Sequence, residues 1–190
     1  MSIERCVSHF IATDLSGDEI FKLIGKEVVL YSDLKNYKTI QQLLGKEGYV
    51  VILYQTSSRT QGHFVAITKN SAGKVRYCDS YAIKTPDAEV QYTPYDKKLP
   101  PYLTDLLKGV DYESNSVDYQ STSPTVSTCG RYASLFCLFR NLSLNQIHEL
   151  YKGNGSAYLR NTDNLVVLLT LVGLRDIRNY LVDVPRSGIQ

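Results

Sequence analysis

The middle of the chain contains three runs of β-branched and aromatic residues that predict a small antiparallel sheet. The runs are YVVILYQ at 49–55, GHFVAITKN at 62–70 and KVRYCDSY at 74–81. Polar residues typical of turns separate them, and short apolar runs bounded in this way are characteristic of strands. We therefore expect three neighbouring strands joined as antiparallel hairpins.

Helices are predicted before and after these strands, and several begin with a recognisable cap. A Ser or Thr followed three residues later by Glu or Gln is the pattern of a capping box, in which each side chain bonds the other residue's backbone N–H. Further helical segments are predicted at YLTDLLKG, STCGRYASLFCLFR and NTDNLVVLLTLVG. The capped pairs are Ser16 with Glu19, Thr39 with Gln42, and Ser143 with Gln146.

The order of helices, then strands, then helices favours the α+β class, with a single domain spanning residues 1–190. A chain of 190 residues with 43% hydrophobic content is large enough to bury its own core. No repeat, low-complexity tract or long linker divides the chain.

Charge and cysteine content narrow the classes of function. The net charge is +2 and no basic run is present, so the sequence lacks the electrostatic pattern of a nucleic-acid binder. Only an auxiliary contact with DNA is compatible with this charge. The N-terminus has no long apolar stretch, and the longest apolar run, LVVLLTLVGL, is about half a membrane span. We expect an intracellular protein without a membrane segment, whose four cysteines are free thiols.

Cys129 is the cysteine with a candidate chemical role. The stretch STCGRYASLFCLFR places it in the first turn of a predicted helix, where free N–H groups and the helix dipole favour a thiolate. Gly130 leaves room for a substrate backbone to approach closely. Cys137 lies in the apolar interior of the same helix and is expected in the core. The alternative for Cys129 is a small buried residue at a tight helix start.

His63 is the candidate general base for this thiol. It lies on the predicted strand GHFVAI and shares a face with Val65 and Ile67. If the following turn centres on Ser71, Asp79 lies directly opposite His63 on the same face of the sheet. A carboxylate there fixes the imidazole tautomer and stabilises the imidazolium that forms when the ring accepts the thiol proton. An ordinary cross-strand His–Asp pair is the alternative.

Acyl transfer also requires donors for the oxyanion that develops on the carbonyl oxygen. The backbone N–H of Cys129 can supply one donor. Gln120, in VDYQSTSPTVSTCG, can supply its side-chain amide, because the loop that follows it ends at the cysteine. Taken alone, a glutamine before a serine-rich loop is more often a solvated residue.

The order of these residues resembles that of the adenain-type cysteine proteases. This group joins the adenovirus maturation protease to the SUMO-deconjugating proteases and to capsid-processing proteases of other large DNA viruses. GHFVAI, YCDSY, VDYQ and STCGRYASLF match the family's histidine, acid, glutamine and cysteine in turn, and cover about residues 50–140. The short length and the helical N-terminus are most similar to the proteases of virophages and Polinton-like elements.

The resemblance implies a papain-like fold in which a central helix bearing the nucleophile packs on a sheet bearing the histidine and the acid. It implies hydrolysis of virion (capsid) precursor proteins after small residues such as Gly, in the virion and in the virus factory of the host cytoplasm. We expect a monomer that uses no cofactor and no metal. The roles carried over are base for His63, orienting acid for Asp79, nucleophile for Cys129, and oxyanion donors for Gln120 and Cys129.

Two departures from the family concern the surroundings of the site. The family usually has Trp after the histidine, whereas this chain has Phe64 and contains no Trp. The spacing of nine residues from Gln120 to Cys129 is somewhat longer than is usual in the family. The bulky Phe64 and Tyr81, together with Gly130, are expected to form a narrow channel. This channel should reject side chains larger than alanine before the scissile bond.

Three other functions stay open on the sequence. Proteases that release ubiquitin-like proteins and acyltransferases of bacterial effectors use the same order of histidine, acid and cysteine, and a capsid-associated scaffold could keep the fold without activity. A deconjugase needs an exposed surface for a folded partner, whereas an acyltransferase passes the acyl group to an acceptor other than water. The complete set of candidate residues argues against an inactive scaffold.

Overall fold

The computed structural model describes residues 3–56, 62–94, 98–152 and 160–174. These ranges form a mixed α/β structure with a five-stranded sheet. Every helix within these ranges is too short or too polar to cross a lipid bilayer.

The strands are β1 (Val29–Leu30), β2 (Tyr49–Gln55), β3 (Gly62–Lys69), β4 (Val75–Cys78) and β5 (Tyr112–Ser114). The α-helices are α1 (Ile3–Ile11), α2 (Gly17–Ile24), α3 (Ile40–Leu44), α4 (Tyr102–Leu107), α5 (Cys129–Leu138), α6 (Leu144–Tyr151) and α7 (Thr162–Leu174), and 3₁₀ helices cover Tyr31–Asn36 and Ala88–Tyr92.

The five strands form one mixed sheet in the order β1–β2–β3–β4–β5. The two central hairpins are antiparallel, as the sequence predicts, while β1 and β5 add parallel strands at the two edges. The edge strands are only two and three residues long. Such short segments carry no alternating pattern, which is why the sequence predicts the central strands alone.

The hairpin between β3 and β4 is paired two residues away from the expected register. A turn centred on Ser71 would place Ile67 opposite Val75, whereas the structure places Ile67 opposite Tyr77. The turn is held by Asn70, whose side-chain Oδ1 accepts two backbone hydrogen bonds, at 2.9 and 3.0 Å. Because side chains alternate with a period of two, this shift keeps the predicted faces of both strands.

The shift changes how Asp79 reaches His63. β4 ends at Cys78, so Asp79 is the first residue beyond the strand, and its place in the register is diagonal to His63. The prediction that the two residues lie directly opposite each other is therefore wrong. Diagonal neighbours on one face are still within reach of long or aromatic side chains, and the two side chains meet in this way.

Helices cover both faces of the sheet and form two hydrophobic cores. On one face, α5 packs across β2 and β3 with α2, α6 and α7, through buried residues such as Leu53 and Phe136. On the other face, α3, α4 and the first 3₁₀ helix pack against buried Tyr54 and Ile67. The central helix α5 thus lies against the middle of the sheet, and its residues Cys129–Cys137 are all buried.

Three helices begin with the predicted caps. Ser16 before α2 and Ser143 before α6 each form a complete capping box with the Glu or Gln three residues later. Thr39 caps α3 by accepting a hydrogen bond from the Gln42 N–H, but the Gln42 side chain bonds the Lys38 N–H instead of closing the box. Local sequence alone therefore fixes the starts of these helices.

The four cysteines carry free thiols, as the sequence predicts. Cys137 is fully buried in α5, in agreement with its expected place in the core. Burial is the main cause that raises the pKa of Cys78 to about 12, and it also raises the pKa of Cys137. Both of these thiols consequently stay protonated near neutral pH.

Gly62 allows β3 to begin close to β2. A Cβ atom at this position would lie 1.8 Å from the carbonyl oxygen of Tyr54 and 3.0 Å from the backbone nitrogen of Thr56. These are backbone atoms of the neighbouring strand and its end, so they cannot move aside as a flexible side chain can. The missing side chain thus permits the close pairing that positions His63, the next residue.

Replacing Gly62 with alanine should destabilise the protein by about 1–3 kcal/mol or more, because the added methyl group overlaps backbone atoms. Urea unfolding followed by circular dichroism measures this as a lower midpoint with an unchanged slope. Gly17→Ala is the matched control, since a Cβ at Gly17 meets no atom within 4 Å and alanine favours the helix. Equal midpoints for Gly62→Ala and the wild type would contradict the close approach of the two strands.

Candidate active site

Three elements bring the predicted catalytic side chains together. Cys129 is the first residue of α5, His63 is the second residue of β3, and Asp79 follows the last residue of β4. The Cys129 Sγ lies 3.9 Å from the carbonyl oxygen of Gly62, so α5 begins beside the start of β3. All three side chains are buried. The sheet and the central helix therefore converge at this point.

The imidazole of His63 lies between the acid and the thiol. Its Nε2 is 3.2 Å from Oδ2 of Asp79, and the Cys129 side chain is near enough to raise the pKa of the ring. Because Nε2 faces the carboxylate, Nδ1 is the ring nitrogen that is left for the sulfur. A general base needs this arrangement, in which an acid fixes the tautomer and the other nitrogen faces the nucleophile.

Asp79 is fully buried, and donors from several directions meet its oxygens. Oδ1 accepts a hydrogen bond from the Tyr81 N–H at 2.7 Å. Oδ2 accepts one from the Tyr77 hydroxyl at 3.4 Å, in addition to its contact with His63. A buried carboxylate needs such partners because it has lost its hydration. Asp79 thus holds a fixed position relative to the imidazole.

Asn115 holds the backbone of Asp79 from the neighbouring strand. Its Oδ1 accepts a hydrogen bond from the Asp79 N–H at 2.9 Å, and its Nδ2 donates one to the Asp79 carbonyl at 2.6 Å. Asn115 directly follows β5, the parallel edge strand that the sequence does not predict. Without that strand, no local pattern indicates that Asn115 lies beside the acid.

The pKa of His63 is raised well above its ordinary value although the ring is buried. Burial is the largest single influence and acts to lower this pKa, because it disfavours the charged ring. The hydrogen bond to Asp79 and the interactions with Asp79 and Cys129 act in the opposite direction and outweigh burial. The imidazolium is therefore the favoured state of His63 near neutral pH, and it is the partner that a thiolate requires.

Glu89 adds a second buried carboxyl group beside this pair. Ligand atoms of His63, Asp79 and Glu89 all lie within 4.8 Å of one another. Burial raises the pKa of Glu89, the charge of His63 opposes this, and the charge of Asp79 adds to it. The three side chains have the spacing of metal ligands, but a nitrogen ligand must give up its proton to bind a cation. A metal at Nε2 and the His63–Asp79 hydrogen bond consequently exclude each other.

Gln120 is buried, and its side-chain amide has a defined orientation. The Ser80 hydroxyl donates a hydrogen bond to Gln120 Oε1 at 2.8 Å, which identifies that end of the amide as the acceptor. The Nε2 end points toward the loop before Cys129, where the Val126 carbonyl oxygen lies 3.5 Å away. This contact is at the limit of a hydrogen bond, so the amide keeps donor capacity for another acceptor. The burial of Gln120 differs from the solvated position usual for a glutamine before a serine-rich loop.

Among the residues expected to contact substrate, Tyr81 has a partly exposed side chain. Its ring stacks on His63, with centroids 5.1 Å apart and 24° between the planes. Phe64 and Gly130 lie in the core instead, and a Cβ on Gly130 would come within 3.3 Å of three core side chains, including that of Phe64. Glycine at this position serves the close packing of α5. The expected place of Phe64 and Gly130 in a substrate channel does not fit this burial.

Comparison with known proteins identifies a viral relative. The chain is 27% identical over 174 residues to "Uncharacterized protein V9" of Sputnik virophage, and the alignment covers 87% of this chain and 98% of that protein. Among solved structures, the central domain of the uncharacterized Lpg1148 protein from Legionella pneumophila aligns with a TM-score of 0.41 and 16% identity, covering 86% of this chain and 98% of that one. No protein-family model matches the sequence.

Removing either partner of His63 should lower the pKa of its ring. Asp79→Asn removes a negative charge and Cys129→Ala removes the thiol, and both partners raise the pKa of His63 in the wild type. An NMR titration of the imidazole signals measures the shift. Cys137→Ala, which removes a sulfur from the interior of the same helix, is the control and should leave the titration unchanged. An unchanged titration in Cys129→Ala would show that the thiol and the imidazole do not interact.

Cys129 should react with iodoacetamide at mildly acidic pH about tenfold faster than Cys6, or more, because only a thiolate is nucleophilic. The two cysteines are 6% and 8% exposed, so access does not separate them. Burial raises the pKa of Cys6, whereas Cys129 faces an imidazolium at a helix N-terminus. Mass spectrometry of the labelled peptides gives both rates, and His63→Ala should remove the difference. Equal rates in the wild type would argue against an activated Cys129.

Proposed function

We propose that this protein is an adenain-type cysteine endopeptidase that cleaves virion precursor proteins. The buried His63 imidazole carries this proposal, because it lies 3.2 Å from Asp79 and both Asp79 and Cys129 raise its pKa. Each residue alone could have a structural role. A thiol at a helix N-terminus, an imidazole with a raised pKa and an acid in contact with it together form the machinery of nucleophilic acyl transfer.

The first half of the proposed reaction forms a thioester. With the proton of Cys129 held on Nδ1 of His63, which is then an imidazolium, the thiolate sulfur attacks the carbonyl carbon of the scissile peptide bond. A C–S bond forms while the C=O electron pair moves to the oxygen. The intermediate then collapses with cleavage of the C–N bond, and the leaving nitrogen takes the proton from His63.

Water completes the reaction. Nδ1 of His63 accepts a proton from a water molecule whose oxygen attacks the thioester carbon, and the C–S bond breaks to release the acid and the thiolate. Asp79 stabilises the imidazolium in both halves without being protonated itself. The net change is the hydrolysis of one peptide bond.

Two donors are available for the oxygen that becomes negative in each intermediate. One is the Cys129 N–H at the start of α5, and the other is Nε2 of Gln120, which Ser80 turns toward the loop before the cysteine. Donors that are oriented in advance need no reorganisation when charge develops. Three consecutive residues thus support the site. Asp79 orients the base His63, Ser80 orients the oxyanion donor Gln120, and Tyr81 stacks on the imidazole ring of His63.

The architecture supports the adenain-type form of the papain-like fold. Helix α5 begins at the nucleophile and packs on a sheet whose strands position the histidine and the acid. The chain order His63, Asp79, Gln120 and Cys129 is the order that the adenain-type proteases use.

The similarity to a virophage protein supports the viral part of this proposal. Proteases of the group that this chain resembles act on capsid precursors, which would place the activity in the virion and the virus factory. Cleavage after small residues is supported by the Tyr81 ring stacked on His63. A bulky side chain next to the base leaves little space for a large substrate side chain beside the scissile bond.

Incubation of the purified protein with the capsid precursors of its own virus should produce new termini that follow Gly or Ala. Cys129→Ala should lower the rate roughly 10⁴-fold or more, because the nucleophile is lost, and should keep the fold. Cys137→Ala is the matched control, since it removes a sulfur from the interior of the same helix, and it should still cleave. Mass spectrometry of the products maps the termini.

Other outcomes would assign a different activity on the same site. Intact capsid proteins together with rapid processing of a ubiquitin-like precursor would identify a deconjugase. Transfer of an acyl group to an acceptor other than water, without hydrolysis, would identify a transferase. Undiminished cleavage by Cys129→Ala would contradict the proposed nucleophile.

A further inference from the structure

Glu89 is a buried acid that the proposed mechanism does not use. It lies in the second 3₁₀ helix, Ala88–Tyr92, and is only 7% exposed. Within the described ranges its carboxyl group makes no hydrogen bond, and the charges of His63 and Asp79 are the interactions that act on it. Buried polar groups are normally hydrogen-bonded, and a buried group without such a partner indicates an ion or a catalytic role.

The Glu89 carboxyl group faces the side of the His63 ring that Asp79 occupies. One ligand atom from each of His63, Asp79 and Glu89 lies within 4.8 Å of the other two, and all three residues are buried. Among the residues that the structure describes, Cys129 is not part of this group. Asp79 has no exposed surface, while His63 and Glu89 keep 7% each, so the group is open to solvent at His63 and Glu89.

One imidazole and two carboxylates are a suitable ligand set for Zn²⁺. Zinc sites that keep an open position use three protein ligands of these types and complete the coordination with water. Ligand atoms about 2.0–2.2 Å from a tetrahedral ion lie roughly 3.3–3.6 Å from one another. The ligand atoms of His63 and Asp79 are already 3.2 Å apart, so it is mainly the Glu89 side chain, which no hydrogen bond holds, that has to move.

The charges of this set also favour a divalent cation. With a neutral imidazole, the two carboxylates balance the two positive charges of Zn²⁺, and buried charges need such a balance. An imidazole nitrogen suits zinc, whereas Mg²⁺ and Ca²⁺ prefer sites made of oxygen ligands alone. The ligand set therefore favours zinc over these two cations.

We propose that His63, Asp79 and Glu89 form a zinc site through which the ion reversibly inhibits the reaction of the active site. Zn²⁺ binds Nε2 of His63 in place of the Nε2 proton, which passes to the solvent. Oδ2 of Asp79, which faces Nε2 in the absence of the ion, binds the ion instead, and Glu89 supplies the third ligand. The zinc site itself is independent of the proposed function, whereas the inhibition rests on it.

Inhibition follows from the position of the proton that stays on the ring. A neutral imidazole carries one proton, and with zinc on Nε2 this proton is on Nδ1. Nδ1 then has no lone pair to accept a proton from water in the second half of the proposed reaction. Donating the Nδ1 proton to the leaving nitrogen would leave an imidazolate anion, which makes His63 a poor acid as well.

The Cys129 thiolate is the competing ligand for zinc. Thiolates bind Zn²⁺ strongly, and an ion held by Cys129 and Nδ1 of His63 would also block the reaction. That arrangement requires Cys129 but not Glu89, whereas the proposed site requires Glu89 but not Cys129. The two arrangements also differ in ligand type, because only the competing one contains sulfur.

Isothermal titration calorimetry with Zn²⁺ on three variants separates these arrangements. Cys129→Ala should bind zinc with an affinity similar to that of the wild type. Glu89→Gln, which keeps the shape of the side chain and removes its charge, should weaken binding at least about tenfold, because even an outer partner of a metal ligand contributes that much. Glu149→Gln makes the same change on an exposed side chain and is the matched control, so it should bind like the wild type.

The absorption spectrum of the Co²⁺ form identifies the ligand type without a substrate. Cobalt bound to a thiolate shows strong sulfur-to-metal charge transfer in the near ultraviolet, and cobalt bound by nitrogen and oxygen alone does not. The wild type should show visible cobalt bands without this charge transfer. Strong charge transfer that disappears in Cys129→Ala would overturn the proposal, as would equal zinc affinities in Glu89→Gln and the wild type, or no zinc binding by the wild type.

Cleavage assays connect the zinc site to the proposed function. Zn²⁺ should inhibit cleavage of a capsid precursor by the wild type, a chelator should restore the rate, and Glu89→Gln should need at least about tenfold more zinc, in proportion to its weaker binding. Zinc binding at the proposed site together with no peptide hydrolysis would overturn the proposed function and leave the zinc site standing. Hydrolysis that saturating zinc does not slow would overturn the inhibition and leave the proposed function standing.

NMR of the imidazole signals keeps the test decisive if circular dichroism shows that Glu89→Gln is unfolded. In Cys129→Ala, which lacks the competing thiol, Zn²⁺ should shift the ring signals of His63 and leave those of His9 and His148 in place. Unshifted His63 signals at saturating zinc would overturn the site.

Discussion

The hydrogen bond between the His63 imidazole and the buried carboxylate of Asp79 is the interaction on which the site depends. A carboxylate with no exposed surface must be met by donors or lose its charge. Asp79 is met by His63, Tyr81 and Tyr77, and Asn115 holds its backbone. These residues come from β3, from β4 and the turn after it, and from the end of β5. The edge strand therefore contributes to the placement of Asp79 beside His63, through Asn115.

A second buried carboxylate, that of Asp163 in α7, supports the site from the side of the helices. Asp163 bonds Thr128, Ser121 and Tyr132, and so ties α7 to the loop before the nucleophile and to α5 itself. Burial of a charge is costly, and hydrogen bonds return that cost only when their geometry is good. The two carboxylates therefore fix geometry more than they add stability. Asp79 orients the His63 imidazole from the sheet, and Asp163 bonds Thr128 just before α5, the helix that begins at Cys129.

Local patterns predict the central strands, several helices and the candidate site residues of this protein, while contacts between distant segments account for what the sequence misses. The β-branched runs locate the central strands because burial on both faces selects such residues. The β3–β4 register is misjudged because the Asn70 side chain selects a longer turn than the spacing suggests. Asn115 and Asp163 act on Asp79 and Thr128 from 36 and 35 residues away. No periodicity or motif links residues at such separations, so only the folded chain shows that they support the site.

The raised pKa of His63 links the protonation state that the proposed mechanism uses to the stability of the fold. A histidine whose pKa is higher in the folded protein contributes stability that is fully present below the unfolded value, near 6.5, and is lost as pH rises through the folded value. The imidazolium is thus the favoured native state, and in the proposed mechanism it is also the acid that protonates the leaving amine. Glu89, whose own pKa is raised chiefly by burial, lies within 4.8 Å of the ring. As pH rises and Glu89 ionises, it adds negative charge beside the imidazolium. The second carboxyl group therefore extends the pH range over which the ring keeps its proton.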